Sequence, residues 1–351
     1  MRTLAACILA AMLLTCGARA LELPAALTGH IPQEVQELDS AALIDGGGRL
    51  LAERAAELLR SIAGHELRGM ALLLLVPLLC GMAEGFSSGE DGIPYCVNMV
   101  GVLAILLLAS DDLTGLITLG TQTMDELRTL SNVLLPTVAA ALAMGGFVGS
   151  AGILQVGTLF ASDFLLRMIH ELLLPLTYCY IALAAAAATL PESRLGALSA
   201  GLRRLIGAAL CGMMLLFTLY LTIGNIMSGS VDKAALKTAK TAMSAAIPVV
   251  GGILSEAAEA VLSGAAAVRS VCGIAGILTV LLISLSPLLR LSVQYLLYQM
   301  AAVLASVMGS EALDRFIRDL GSAFGLLLGM TGACSLLLLV SLLLSITMVV
   351  P

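Results

Sequence analysis

The chain has no tryptophan, six tyrosines and seven phenylalanines, and only 12% of its residues are charged. A soluble globular domain carries about 25% charged residues. So few charges exclude a water-facing surface large enough to enclose a chain that is 59% hydrophobic and has a mean hydropathy of +1.03. The missing Trp and scarce Tyr exclude a strong aromatic belt at a membrane interface. There is no basic run and the net charge is −6, which excludes a nucleic-acid footprint. Of the eight cysteines, six (Cys80, Cys96, Cys179, Cys211, Cys272 and Cys334) sit inside apolar runs, where a lone thiol acts as a small hydrophobe. No pair has the spacing of a metal or redox motif.

Catalytic and cofactor signatures are missing too. No Walker A loop, dinucleotide fingerprint or metal-ligand cluster occurs, so neither a cofactor nor a metal is expected. Gly149-Ser150-Ala151-Gly152 lacks the residue that a nucleophile elbow places between Gly and Ser. His170-Glu171 is followed by Leu174 where a metalloprotease would carry its second His. A membrane enzyme has no constellation to support it, and energy from ATP would have to enter through another subunit.

What is present is apolar sequence in long stretches. A helix needs about 20 apolar residues to cross a bilayer. Uncharged stretches occur at 69–83, 92–110, 129–162, 172–191, 205–231, 270–289, 291–310 and 320–351. They predict an all-α, polytopic transmembrane helical bundle of about eight membrane segments, with lipid as the solvent for most of its surface. Residues 1–20 read as a signal peptide: Arg2 as a basic n-region, residues 4–14 as an apolar core, and Ala18-Arg19-Ala20 as a small-x-small cleavage site. Cys16 after Leu-Leu-Thr offers lipidation as the alternative. Either way, residues 21–68 are expected outside the cytoplasm. This is the one sizeable polar segment, with eight acidic residues and four Arg, divided by Gly46-Gly47-Gly48. From residue 49 onward its apolar positions recur at helical spacing, predicting an amphipathic helix that leads into the membrane domain, residues 69–351. Orientation stays open. Arg194, Arg203 and Arg204 in a loop at 191–204, and Lys233, Lys237, Lys240 and Arg269 in the next polar region, give conflicting positive-inside signals.

Three features could carry function. Gly321, Gly325, Gly329 and Ala333 recur every fourth residue and form a flat groove for close helix packing, either inside the chain or as a seam of a homo-oligomer. Gly145-x-x-x-Gly149 repeats the pattern more loosely. Asp163, Arg167, His170 and Glu171 fall on one helical face, either as a salt-bridged turn or as the polar lining of a pathway. Residues 232–262 read as two short helices, one over 231–247 and one from Ser255 to a stop near Gly264, interrupted at Pro248 and Gly251-Gly252. Lys237, Lys240 and Ser244 lie on the first, so the pair is expected to be a broken or re-entrant element or an amphipathic hairpin on the membrane surface.

That last stretch carries a resemblance. Asp232, Lys237-Thr-Ala-Lys240, Ser244, Ile247-Pro248-Val249-Val250-Gly251-Gly252 and Leu254-Ser255 resemble the stage III sporulation protein AE family of endospore-forming bacteria. Leu135-Pro136 before the small-residue run at 139–152 is similar to that family as well, as is the order of signal peptide, acidic segment and apolar helices. The resemblance implies a multi-pass subunit of the mother-cell membrane around the forespore. That subunit would belong to a secretion-like channel complex between the two cells, with membrane lipid, other subunits and a secretion-type ATPase as partners. It implies no catalytic or ligand-binding residues. A stand-alone secondary transporter for a small solute is the alternative; it predicts an internal repeat, which the sequence does not display.

Overall fold

The computed structural model describes residues 40–86, 93–144, 150–190, 194–246, 251–307 and 311–347. Seven α-helices account for nearly all of them: α1 (Ser40–Phe86), α2 (Ile93–Met144), α3 (Ser150–Met168), α4 (Leu174–Thr189), α5 (Leu195–Ala246), α6 (Gly251–Val307) and α7 (Glu311–Thr347). No strand occurs among the described residues. Among the described residues, five segments are long and apolar enough to cross a membrane: Cys96–Val133, Phe160–Thr189, Leu195–Ile223, Gly276–Val307 and Ala312–Leu343. A shorter apolar segment, Gly69–Ala83, lies within α1.

These five do not by themselves make up the expected eight, and some of the expected boundaries fall inside helices for a physical reason. A single charge delimits an uncharged stretch on paper but does not end a helix. Arg290 separates two apolar stretches, yet α6 passes straight through it. A helix broken in hydrocarbon leaves backbone groups unsatisfied at several kcal/mol each, whereas an interior glycine costs only about 1 kcal/mol. The same argument covers Ser255 and Gly264, which neither start nor stop a helix: α6 begins at Gly251 and runs past both. Lys237, Lys240 and Ser244 belong to the last turns of α5, and Gly251, Gly252 and Ser255 to the first turns of α6. The two short helices expected here are therefore the ends of helices of 52 and 57 residues. Pro248 lies outside the described residues, as do the signal-peptide segment, Gly145 and Gly149. α1 likewise continues through Gly46-Gly47-Gly48 into the apolar Gly69–Ala83 segment.

One helix is locally unwound. Between α3 and α4 the chain makes a π-helical turn, Ile169–Leu173, in which the Leu174 N–H reaches back five residues to the Ile169 carbonyl. The cause is two residues on. Pro175 opens α4; it has no N–H to give the carbonyl four residues back, and its ring crowds that carbonyl. Widening the turn by one residue relieves the conflict without ending the rod.

The core forms around α7, which packs on α6 most extensively and also touches α2, α3, α4 and α5. Leu313, Phe316, Ile317, Leu320, Phe324, Leu327, Met330 and Leu337 are fully buried along it. Tyr298 of α6 meets Phe324 edge-on, with ring centroids 4.9 Å apart and planes at 64°, the arrangement favoured by ring quadrupoles. Hydroxyls inside the helices satisfy themselves by donating to the carbonyl four residues back, as Thr177 does to Leu173, Thr331 to Leu327 and Ser335 to Thr331.

Candidate functional site: an acidic cavity between three helices

The glycine stripe on α7 has neighbours within this chain. A Cβ added to Gly321 would stand 3.1 Å from Tyr298 Cβ, and one on Gly325 would stand 3.0 Å from Tyr295 Cε2, both on α6. A Cβ on Gly329 would meet Leu210 Cδ2 of α5 at 3.2 Å, and Ala333 is buried. The change of partner follows from helix geometry. Four residues turn the helix by about 400°, so a stripe of period four drifts by about 40° at each step. Gly321 and Gly325 face α6, and Gly329 has turned toward α5.

Asp163, Arg167, His170 and Glu171 do not form one network of contacts. Arg167 Nε donates to Asp163 Oδ2 at 3.0 Å within α3. His170 points across to α2, its Nε2 3.6 Å from Asp125 Oδ1. Glu171 is exposed. Arg167 is paired with Asp163 and not with Glu171. Sequence spacing found the first pair; nothing local could have pointed to Asp125.

Two further polar contacts fasten α7. Tyr180 Oη of α4 donates to the backbone carbonyl of Asp319 at 3.0 Å and lies 3.2 Å from its Oδ1. Beside it, Arg203 Nη1 donates to Ser322 Oγ at 2.8 Å, and Ser322 Oγ donates to the Arg318 carbonyl. Arg203 and Arg204, expected in a loop, thus belong to the early turns of α5, with Arg203 tied to the bundle rather than to an aqueous loop. Ser162 of α3 and Ser341 of α7 share a buried hydrogen bond of 2.6 Å.

The arrangement with the most chemistry was not singled out by the sequence patterns. A cavity of about 210 Å³ opens between α1, α2 and α6, lined by Gly69, Asp111, Asp112, Gln294 and Tyr298 among apolar neighbours. Gly69 helps to leave this space, since a Cβ there would meet nothing within 4 Å. Gln294 is 3% exposed, and its Nε2 donates to Asp112 Oδ2 at 2.8 Å. Its Oε1 is buried and has no hydrogen-bond partner among the described residues. Asp111-Asp112 ended one uncharged stretch, and Gln294 sat unremarked in another. The available signal was two adjacent carboxylates with apolar residues on both sides, because ionisable groups inside a span are rarely idle. Among the described residues no group of three or more His, Cys, Asp or Glu could hold a metal ion.

Residues 51–349 match the profile of the family described as stage III sporulation protein AE. The chain belongs to that family. A relative of that name from Bacillus subtilis (strain 168) is 20% identical over 287 residues, which cover 80% of this chain and 72% of the relative. No solved structure matches. The family match runs from within α1 to the end of α7, so it takes in the acidic cavity, the glycine stripe and the helix ends around 247–250. A sporulation family and five apolar candidate spans together make this a membrane protein of sporulation.

Proposed function

We propose that the chain is a non-catalytic, integral membrane subunit of the mother-cell-to-forespore channel complex, a specialised secretion-like assembly required during sporulation. It would sit in the mother-cell membrane around the forespore, with its N-terminal segment outside the cytoplasm. The observation that carries this reading is the family match over residues 51–349 of a chain whose helices include five apolar candidate spans. The sequence has no nucleotide-binding loop, so a secretion-type ATPase in the same complex supplies the energy. In this reading Gly321, Gly325, Gly329 and Ala333 hold the bundle together internally. The helix ends at Lys237, Lys240 and Ser244, and at Gly251, Gly252 and Ser255, form with Pro248 an interrupted element that meets a neighbouring subunit.

Affinity capture of the tagged full chain from sporulating cells tests the proposal. The expected result is co-recovery of the ATPase and other membrane subunits, lost when Pro248→Leu and Gly251→Leu are combined while the chain still inserts in the membrane. Recovery of the wild-type chain alone would overturn it.

A further inference from the structure

α2 changes its outer face part-way along its length. Among the described residues, every exposed position from Cys96 to Leu108 is apolar, with Val100 and Leu107 the most open at 64% and 75%. From Asp111 to Asn132 every exposed position is polar or glycine, through Thr114, Thr118, Gln122 and Glu126. The inner face stays largely apolar throughout, with Val102, Ile105, Leu116, Leu127 and Leu130 buried. A helix face clad in carboxylates and hydroxyls is costly to place against hydrocarbon. Length makes the same point. The apolar segment Cys96–Val133 has 38 residues, about 57 Å of helix against a hydrocarbon core of about 30 Å.

The two neighbouring helices switch at the same level. α1 exposes Glu53, Arg54, Glu57 and Arg60, and from Gly69 to Ala83 its exposed positions carry no polar side chain. α6 exposes Arg290, and past Gln294 it turns Leu296, Met300, Val303 and Val307 outward. The three changes coincide in space, because Gly69, Asp111 and Gln294 line one cavity and Gln294 Nε2 donates to Asp112 Oδ2. From that level to the helix ends at Phe86, Ile93 and Val307, each rod has about 14–19 residues, or roughly 21–28 Å, close to one hydrocarbon core. We infer that on this side of the bundle the bilayer ends at the level of Gly69, Ser110 and Gln294. Acyl chains cover α1 from Gly69, α2 up to Ser110 and α6 beyond Gln294, while the second half of α2, Asp111 to Asn132, stands in water. α1 enters the bilayer from that end and α2 returns to it, so the polar half of α2 and the start of α1 lie on one side of the membrane. α5 packs on α3 and α4, and its Leu210 stands level with Gly329. Its exposed Leu215, Leu216 and Leu219 therefore lie further along the bundle axis, and a bilayer that reaches both sides lies oblique to the rods. The inference goes beyond the channel reading and does not depend on it.

Tryptophan fluorescence of the full chain in lipid nanodiscs tests it. The chain has no tryptophan of its own, so each single substitution reports on one position. Leu103→Trp, Leu79→Trp and Met300→Trp are expected to lose most of their emission to phospholipid brominated near its chain ends and none to aqueous iodide. Leu108→Trp and Leu72→Trp, close to the boundary, should respond more to bromine placed near the headgroup. Thr118→Trp and Gln122→Trp should emit further to the red and be quenched by iodide alone. Quenching of these last two by brominated chains would overturn the inference. Deepest quenching at Leu108→Trp instead of Leu103→Trp would overturn it too, since the polar half of α2 would then lie at membrane depth around a lumen. Silence of Leu103→Trp and Met300→Trp toward both quenchers would overturn it as well, in favour of a second copy covering the apolar face. Val100→Trp and Thr114→Trp repeat the two arms at other exposed positions, so one misfolded variant cannot hide the result. Failure here would leave co-recovery of the channel subunits untouched.

Discussion

α7 and α5 are almost equally apolar in their spans, yet over an 18-residue apolar stretch of each, 56% of α7 is buried inside the protein against 17% of α5. Both are rich in glycine. On α7, a Cβ at Gly321, Gly325 or Gly329 would press on a neighbour, whereas at Gly196, Gly201, Gly207 and Gly212 of α5 it would meet nothing within 4 Å. Hydropathy therefore measures whether a helix tolerates lipid, and small residues measure whether another helix could approach. Neither says which helix is in fact surrounded. Buried polar side chains separate the two better. α7 carries Thr331, Ser335 and Ser341 in its interior face and is tied by Asp319 and Ser322 to α4 and α5. The span of α5 exposes Leu215, Leu216 and Leu219, and its hydroxyls Thr218 and Thr222 are exposed and bond only to their own helix.

The contrast can be broken by making the same substitution on both helices. Gly325→Leu should be the most damaging change, since the Tyr295 ring already stands 3.0 Å from a hypothetical Cβ. Overpacking of this kind costs about 1–3 kcal/mol, read as a lowered unfolding midpoint in detergent. A neutral outcome would mean that α6 and α7 separate easily. Tyr180→Phe removes the donor to the Asp319 carbonyl and should cost about 1 kcal/mol by the same measurement. Ser162→Ala should cost about 0.6 kcal/mol, typical of a hydrogen bond between membrane helices, because Ser341 keeps its bond to the Leu337 carbonyl. Gly212→Leu on α5 should stay within about 0.5 kcal/mol of wild type. A large loss of stability there would show that Gly212 is packed against a neighbour after all and would remove the contrast between the two helices.

Much of the helical architecture was legible from composition, because lipid leaves a chain this apolar few alternatives to helix. The helix boundaries were not. Arg290 and the Asp111-Asp112 pair look like boundaries in a string of letters, but in the fold each lies within a continuous helix. Among candidate residues, the Asp163–Arg167 pair was readable since helical spacing alone brings it together. The partner of His170 was not readable, because Asp125 lies on another helix. The period of the α7 stripe was evident, but the identity of the covering helices depends on tertiary packing. The acidic cavity takes residues from three helices, and its pivotal member, Gln294, is a neutral side chain that leaves no mark on a charge or hydropathy pattern.

The π turn at Ile169–Leu173 sets the phase of everything that follows it in the rod. One residue inserted into a helix advances the downstream part by about 100° and 1.5 Å, so α4 shows the bundle the face that it does only because of that insertion. Thr177, Tyr180 and Ala184 look inward as a result, while Tyr178 and Cys179 look out. Delete one residue from the turn and replace Pro175 with Leu, and the rod would close into an uninterrupted α-helix with its downstream surface dialled round. Tyr180 would leave Asp319 and the outer face would be swung toward α7. A rod of unchanged composition would then be read by its neighbours as a different helix.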